Sequence, residues 1–223
     1  MIVAIDGPAG SGKSSTARVL ASRLGLMYLD TGAMYRAVAL LFIRNKIDPE
    51  SDDIEQFLAK HSIRIAFRDR SMGVFIDAED VTSLIRTARV TELSSRVSML
   101  PIVRTKLVAE QRRMAKEQVA VGSGVVMEGR DIGTVVFPDA DIKFFLEATP
   151  RERARRRVLQ IRSNNGEADF DQVLAEINER DARDVSRSAS PLAKADDAMV
   201  VDTTRLSFDE QVALLEHLIR ERE

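Results

Sequence analysis

Gly7, Pro8, Ala9, Gly10, Ser11, Gly12, Lys13 and Ser14 form an unbroken match to the pattern G-x-x-x-x-G-K-[ST], and Ser15 follows directly. Those residue types in that order suit one task, the cradling of a nucleoside triphosphate. Glycines admit backbone conformations in which successive N–H groups converge on the β-phosphate, and a helix beginning at the lysine adds its partial positive charge. Lys13 then reaches the β- and γ-phosphates, and the Ser14 hydroxyl is placed to ligate Mg²⁺. The motif identifies a phosphoryl donor and leaves the acceptor open.

An alcohol acceptor would gain from a general base. The two histidines, His61 and His217, fall in a linker and in the terminal helix, where they read as surface or packing residues. A phosphate acceptor needs no base, because a phosphomonoester with a second pKa of about 6 is largely dianionic at neutral pH. Its difficulty is repulsion, roughly 4 kcal/mol for each pair of like charges about 4 Å apart at an effective dielectric of about 20. Arginine answers that difficulty with a planar fork that binds phosphate oxygens in pairs and stays charged. Of the 33 basic residues, 26 are arginine, and their positions matter more than their number. In "TPRERARRRVLQI", Arg153, Arg156 and Arg157 share one helical face, with Ala154, Val158 and Ile161 forming an apolar side. A polar stretch, "RSNNGEADF", follows, an arrangement suited to a lid that closes over phosphates. In "ERDARDVSR", Arg180, Asp184 and Arg187 recur at i, i+4 and i+7, again predicting one face.

The elements that must hold these groups alternate between two periodicities. Met1 to Ile5 is a continuous apolar run, as expected of a strand covered on both faces, and Lys13 to Leu24 repeats with helical spacing before Gly25 stops it. "LMYLD" predicts a second strand and Gly32 to Arg44 a second helix carrying Arg36, with Thr31 at its start. Ile63, Ile65 and Phe67 alternate with polar residues, "DRSMG" turns the chain and "VFI" returns, which predicts a small inserted β-hairpin. Two helices are expected next, Ser83 to Leu100 and Pro101 to Gln118. Further strands are expected at Val125 to Gly129, Ile142 to Ala148 and Ala198 to Asp202. Thr149 to Glu152 and Ser207 to Glu210 read as capping boxes that open two more helices. Strands alternating with helices imply a parallel sheet wrapped on both faces.

Bulk properties remove several classes. The formal net charge of −2 gives no general attraction to nucleic acid or anionic membrane. The absence of cysteine excludes disulfides and thiolate chemistry, in keeping with a cytoplasmic setting. Asp6 interrupts the opening apolar run, so it does not read as a secretory leader, and "AVALLFI" is too short to span a bilayer. "NKID" at Asn45 to Asp48 resembles a guanine-reading sequence, yet it closes a helix close to the phosphate loop and no D-x-x-G accompanies it, which argues against a GTP-hydrolysing switch.

The strings "DGPAGSGKSS", "LDTGAMYRA", "EGRDIGTVVFPDADIKFFLEA" and "ERDARDVSR" followed by "SPL" resemble the bacterial cytidylate kinases over almost the whole chain. The resemblance implies an α/β P-loop nucleoside monophosphate kinase fold, a five-stranded parallel sheet with helices on both faces, a small β insert and a helical lid. It implies a single kinase domain, 1–223, with a core of 1–30, 120–150 and 196–223. The monophosphate-binding region would be 31–119, with its insert at about 62–82, and the lid about 151–190. It implies transfer of the γ-phosphate of ATP to CMP or dCMP with Mg²⁺; a monomer is the default expectation, and the charge and the short apolar runs predict no nucleic-acid or membrane partner. Carried onto these positions, Thr31 and Arg36 lie at the acceptor, and Arg36, Arg130 and Arg187 hold the CMP phosphate. Ser95, Arg104 and Asp131 read the cytosine, and Arg180 and Asp184 contact the ribose. Arg153 and Arg157 neutralise charge on the transferring group, and Glu128 stands where a metal-side carboxylate is expected, with a water-mediated role and a structural salt bridge both open. The rival readings are another P-loop small-molecule or nucleotide kinase, such as one acting on UMP and CMP, and a non-catalytic, nucleotide-dependent RNA-binding protein using the "RERARRR" face.

Overall fold

The computed structural model describes residues 1–50, 53–68, 71–187 and 189–222. In chain order the elements are β1 (Ile2–Asp6), α1 (Lys13–Leu24), β2 (Met27–Asp30), α2 (Thr31–Asn45), α3 (Ile54–Ala59), β3 (Ile63–Arg68), β4 (Ser71–Ile76), β5 (Glu79–Asp80), α4 (Ala88–Val97), α5 (Pro101–Ala120), β6 (Val125–Glu128), β7 (Ile142–Glu147), α6 (Pro150–Ser163), α7 (Phe170–Ser186), β8 (Met199–Asp202) and α8 (Phe208–Arg220). A 3₁₀ turn occupies Leu84–Arg86 and a π-helical turn Ile132–Val136.

Strands β2, β6, β1, β7 and β8 lie side by side in that order, and every pairing is parallel. Because successive side chains of a strand point to opposite faces, β1 divides its apolar residues between two cores. Val3 and Ile5 join Leu20 of α1 and Val212 and Leu215 of α8, whereas Ala4 joins Met34 and Phe42 of α2 and Leu107 of α5. That two-sided burial explains the uninterrupted apolar run and the absence of polar alternation. A third cluster, Ala154, Val158, Val173 and Ile177, holds α6 against α7. Each of the five strands ends in a carboxylate, Asp6, Asp30, Glu128, Glu147 or Asp202, at the edge where ligands bind in open parallel sheets. Among the described residues no helix is long and apolar enough to cross a membrane.

Several local expectations need correction. The helix expected from Ser83 to Leu100 is broken, because Thr87 is extended and its hydroxyl accepts from the Val90 N–H at 3.3 Å, capping α4. The insert is a three-stranded antiparallel sheet, since β5 pairs with β4. Of the expected "DRSMG" turn, Met72 and Gly73 belong to β4, opposite Phe67 and Ala66, and residues 69 and 70 lie outside the described residues. Ser207 and Glu210 form a complete capping box. The Thr149 box is half-formed: the hydroxyl accepts from the Glu152 N–H, but the Glu152 carboxylate is taken by Arg155 and Arg156. Helix α7 ends at Ser186, so Arg187 is its buried, extended cap residue and does not continue the helical face.

Candidate active site

The phosphate loop leaves β1 at Gly7, whose φ is 142° and whose absent Cβ would lie 2.0 Å from the Leu146 carbonyl oxygen. No other residue fits that approach. Gly12 caps α1 with φ 91° and offers no side-chain acceptor to the first N–H groups of the helix, which stay available to an anion. Lys13 is 4% exposed, and its Nζ donates to the Pro8 carbonyl at 2.6 Å and to Ser11 Oγ at 3.3 Å, folding across the loop. Burial pushes its pKa well below the usual lysine range; the Arg130 and Arg180 charges add to the shift, while Glu128 and Asp6 oppose it. The loop lysine and these arginines from distant segments therefore share one electrostatic site.

Glu128 ends β6 beside the loop. Its Oε2 accepts from Ser14 Oγ at 2.8 Å and its Oε1 from the Tyr28 hydroxyl at 2.7 Å, and its backbone carbonyl accepts from Thr31 Oγ1 at 2.7 Å. Burial raises the carboxyl pKa and Asp30 adds to the rise, with Lys13 opposing. A hydroxyl and a carboxylate in contact are hard-oxygen donors that suit Mg²⁺. No group of three or more His, Cys, Asp or Glu able to hold a metal occurs among the described residues. Ser14, with Glu128 in contact behind it, would suit an ion such as Mg²⁺ that needs few protein ligands.

Across from the loop, guanidinium groups outnumber the carboxylates that serve them. Arg130 Nε donates to Asp184 Oδ2 at 2.8 Å, and Arg187 Nε donates to the Asp184 backbone carbonyl at 3.2 Å. Arg187 Nη2 lies 3.5 Å from Asp184 Oδ1 and makes no hydrogen bond, and the buried Nε atoms of Arg36 and Arg180 have no acceptor. Burial and then the Arg130 charge push the Arg180 pKa down to about 10. Burial works to raise the Asp184 carboxyl, but Arg130, Arg187 and Arg180 outweigh it and hold the pKa below the usual range. Arg36 Nη2 donates to Asp30 Oδ2 at 2.7 Å, while Asp30 Oδ1 accepts from the Ala33 N–H at 2.9 Å and caps α2. A surplus of half-buried and buried, mutually repelling guanidinium groups with unused N–H groups has the chemistry to accept a polyanion.

Next to this cluster, Asp131 and Arg104 form a buried ion pair, and the Arg104 guanidinium lies over the Tyr35 ring at 5.7 Å from its centroid. Burial raises the Asp131 carboxyl, and Arg104 and then Arg187 pull it back. Asp6 fixes the turn that carries it, with Oδ1 accepting from the Ile132 N–H at 2.9 Å and Oδ2 from the Gly133 N–H at 2.7 Å. Burial pushes the Asp6 carboxyl up to about 6.

Hydrogen bonds and electrostatics thus link Lys13, Ser14, Thr31, Arg36, Arg104, Arg130, Asp131, Arg180, Asp184 and Arg187. Ser95 is buried with an unpaired Oγ, and Ser15 is exposed. The lid arginines diverge. Arg157 is exposed and donates to Gln160, whereas Arg153 is 3% exposed and donates to protein oxygens. Neither histidine belongs here: His61 contacts Asp77 and His217 contacts Glu221. Sequence reasoning passes over Asp6, Tyr28, Asp30 and Asp181. The available signal for Asp6 and Asp30 is a carboxylate closing each of two apolar strands; Tyr28, inside a strand, gives none.

The family model described as cytidylate kinase matches residues 3–221. The cytidylate kinase of Carboxydothermus hydrogenoformans is 47% identical over 220 residues, covering 98% of this chain and 97% of that protein. That of Geobacter sulfurreducens is 45% identical over 224 residues, covering 100% and 94%, and that of Mycobacterium leprae 48% identical over 229 residues, covering 100% and 96%. A family model matching residues 3–221 and relatives that align from end to end at this identity place the chain in the cytidylate kinase family.

Proposed function

We propose that the protein transfers the γ-phosphate of ATP to CMP or dCMP, giving the nucleoside diphosphate and ADP. The observation that carries this reading is the arginine surplus around Asp184, which acts electrostatically on Lys13 of the phosphate loop. Two polyanions have to be brought together, and fixed guanidinium groups lower the repulsion without a base or a covalent intermediate. In this reading Lys13 and the loop N–H groups hold the donor, and Arg36, Arg130 and Arg187 hold the acceptor phosphate. Arg180 and Asp184 meet the ribose, while Ser95, Arg104 and Asp131 face the pyrimidine edge, where a carboxylate complements an amino group. Ser14, with Glu128 behind it, would hold Mg²⁺, which supplies charge neutralisation on the phosphates when bound. Helices α6 and α7, packed on their own small core, act as the lid, and the exposed Arg157, held only by the Gln160 side chain of its own helix, is the guanidinium that reaches the transferring group. The test is turnover with ATP and each of CMP, dCMP, UMP and AMP. Preference for CMP and dCMP is expected; preference for AMP would refute the base assignment and leave the kinase class standing.

A further inference from the structure

Arg153 makes contacts that its helical face does not predict. Its Nε donates to the Ala148 carbonyl at 2.9 Å, and its Nη1 donates to the Ala9 carbonyl of the phosphate loop at 3.0 Å. The same Nη1 lies 2.6 Å from Asp181 Oδ2 of α7. Gly10, with φ 79°, packs against the same residue: a Cβ there would meet Arg153 Cβ at 3.1 Å and the Arg153 carbonyl oxygen at 3.4 Å. In a planar trans peptide the carbonyl of one residue and the N–H of the next point in opposite directions. Anchoring the Ala9 carbonyl to Arg153 therefore turns the Gly10 N–H away from that guanidinium.

We propose that Arg153 is a positioning residue that fixes the Ala9–Gly10 peptide plane so that the Gly10 N–H faces the donor's β-phosphate. Asp181 holds the guanidinium in place from the lid. The proposal rests on the donor half of the reading above and does not require CMP as acceptor. It also explains why a buried arginine is spent on two backbone carbonyls, the weaker acceptors, when only one carboxylate oxygen is supplied to it.

Calorimetric affinities for ADP, ATP and CMP separate this role from a contact to the γ-phosphate. In Arg153→Met, ADP and ATP should weaken together by about tenfold, the low end for one charged hydrogen bond. Affinity for CMP should change by less than about twofold. A loss of ATP affinity with ADP spared would make Arg153 a γ-phosphate contact and overturn the proposal, as would unchanged affinity for both. Because Arg153→Met leaves the half-buried Asp181 without its partner, the double variant Arg153→Met/Asp181→Asn gives the same comparison without an uncompensated charge. Arg153→Lys, which keeps one donor to the Ala9 carbonyl, should restore part of the ADP affinity. If the native protein binds ADP and ignores CMP, the acceptor reading fails while the ADP comparison still judges Arg153.

Discussion

Asparagine in place of Asp131 should erode the preference for cytosine over uracil. The side chains of Asp131 and Arg104 are 8% and 5% exposed, so any contact that the carboxylate makes with a base is made out of reach of water. A hydrogen bond to a charged group is worth about 1.5–3 kcal/mol, which is about 10- to 150-fold in kcat/KM for CMP when the exocyclic amino group loses its carboxylate. Uracil presents a carbonyl oxygen at the same place, and facing it with a carboxylate leaves a buried acceptor unpaired at about 1–3 kcal/mol. The Asp131→Asn carboxamide removes both terms, because its NH₂ can donate to uracil while its oxygen still accepts from Arg104. Together they lower the CMP-to-UMP ratio of kcat/KM by at least about 50-fold. Alanine is the wrong probe, since a buried Arg104 without a partner would cost about 3–5 kcal/mol and blur specificity with unfolding. Initial rates at saturating ATP with CMP and with UMP measure the ratio, and a thermal melt checks the fold. If both substrates lose the same factor, Asp131 supports Arg104 and does not meet the base.

Burial raises the Asp6 carboxyl from 3.8 to about 6 in the fold. A folded-state value above the unfolded one gives stability that is complete below the unfolded pKa and is lost as pH rises through about 6. At about 1.4 kcal/mol per unit this is about 3 kcal/mol. Urea titrations should therefore show the native protein gaining that amount relative to Asp6→Asn between about pH 7 and about pH 4; a flat difference would mean that Asp6 titrates normally. Arg187→Met should lower transfer from ATP to CMP by about 10³-fold or more while calorimetry finds ATP affinity within about twofold, and an unchanged rate would remove Arg187 from the mechanism. Gly7→Ala, with a Cβ 2.0 Å from the Leu146 oxygen, must displace the loop. Its Tm should fall by more than about 4 °C with weakened ATP binding, and an undisturbed Tm would contradict the close approach.

Elements written in local spacing are legible in the amino-acid sequence itself. The apolar strands, the helix from Lys13 to Leu24 and the parallel sheet follow from periodicity and from the stop supplied by Gly25, and the start of α5 follows from Pro101. The break at Thr87 is not legible, because a threonine inside a helical pattern can cap as readily as continue, and tertiary packing makes the choice. In the site, motif spacing identifies the loop, and the family resemblance supplies the arginines. Neither tells which lid guanidinium is free. Arg153, Arg156 and Arg157 share a face by sequence, yet Arg153 is spent on Ala9, Ala148 and Asp181, and Arg156 on Glu152 and Thr203. The sorting of Arg153 depends on a loop carbonyl more than a hundred residues away in the chain.

The same long-range closure explains why donor and acceptor groups can meet at all. Strands β1 and β6 are neighbours at the middle of the sheet, with Ile5 opposite Glu128, so the segments that leave them emerge one strand spacing apart, about 4.8 Å. One becomes the phosphate loop, the other the run from Gly129 through Arg130 and Asp131. Asp6 on β1 ties down the N–H groups of Ile132 and Gly133, and Glu128 on β6 receives Ser14 from α1. Each strand thus ends in a carboxylate that holds the other strand's loop. Phosphoryl transfer depends on reacting oxygens being held within a fraction of an ångström of their in-line positions. A crossed pair of carboxylates at the sheet edge meets that need in a way that two independently anchored loops could not, since a shift of either strand carries both binding segments with it.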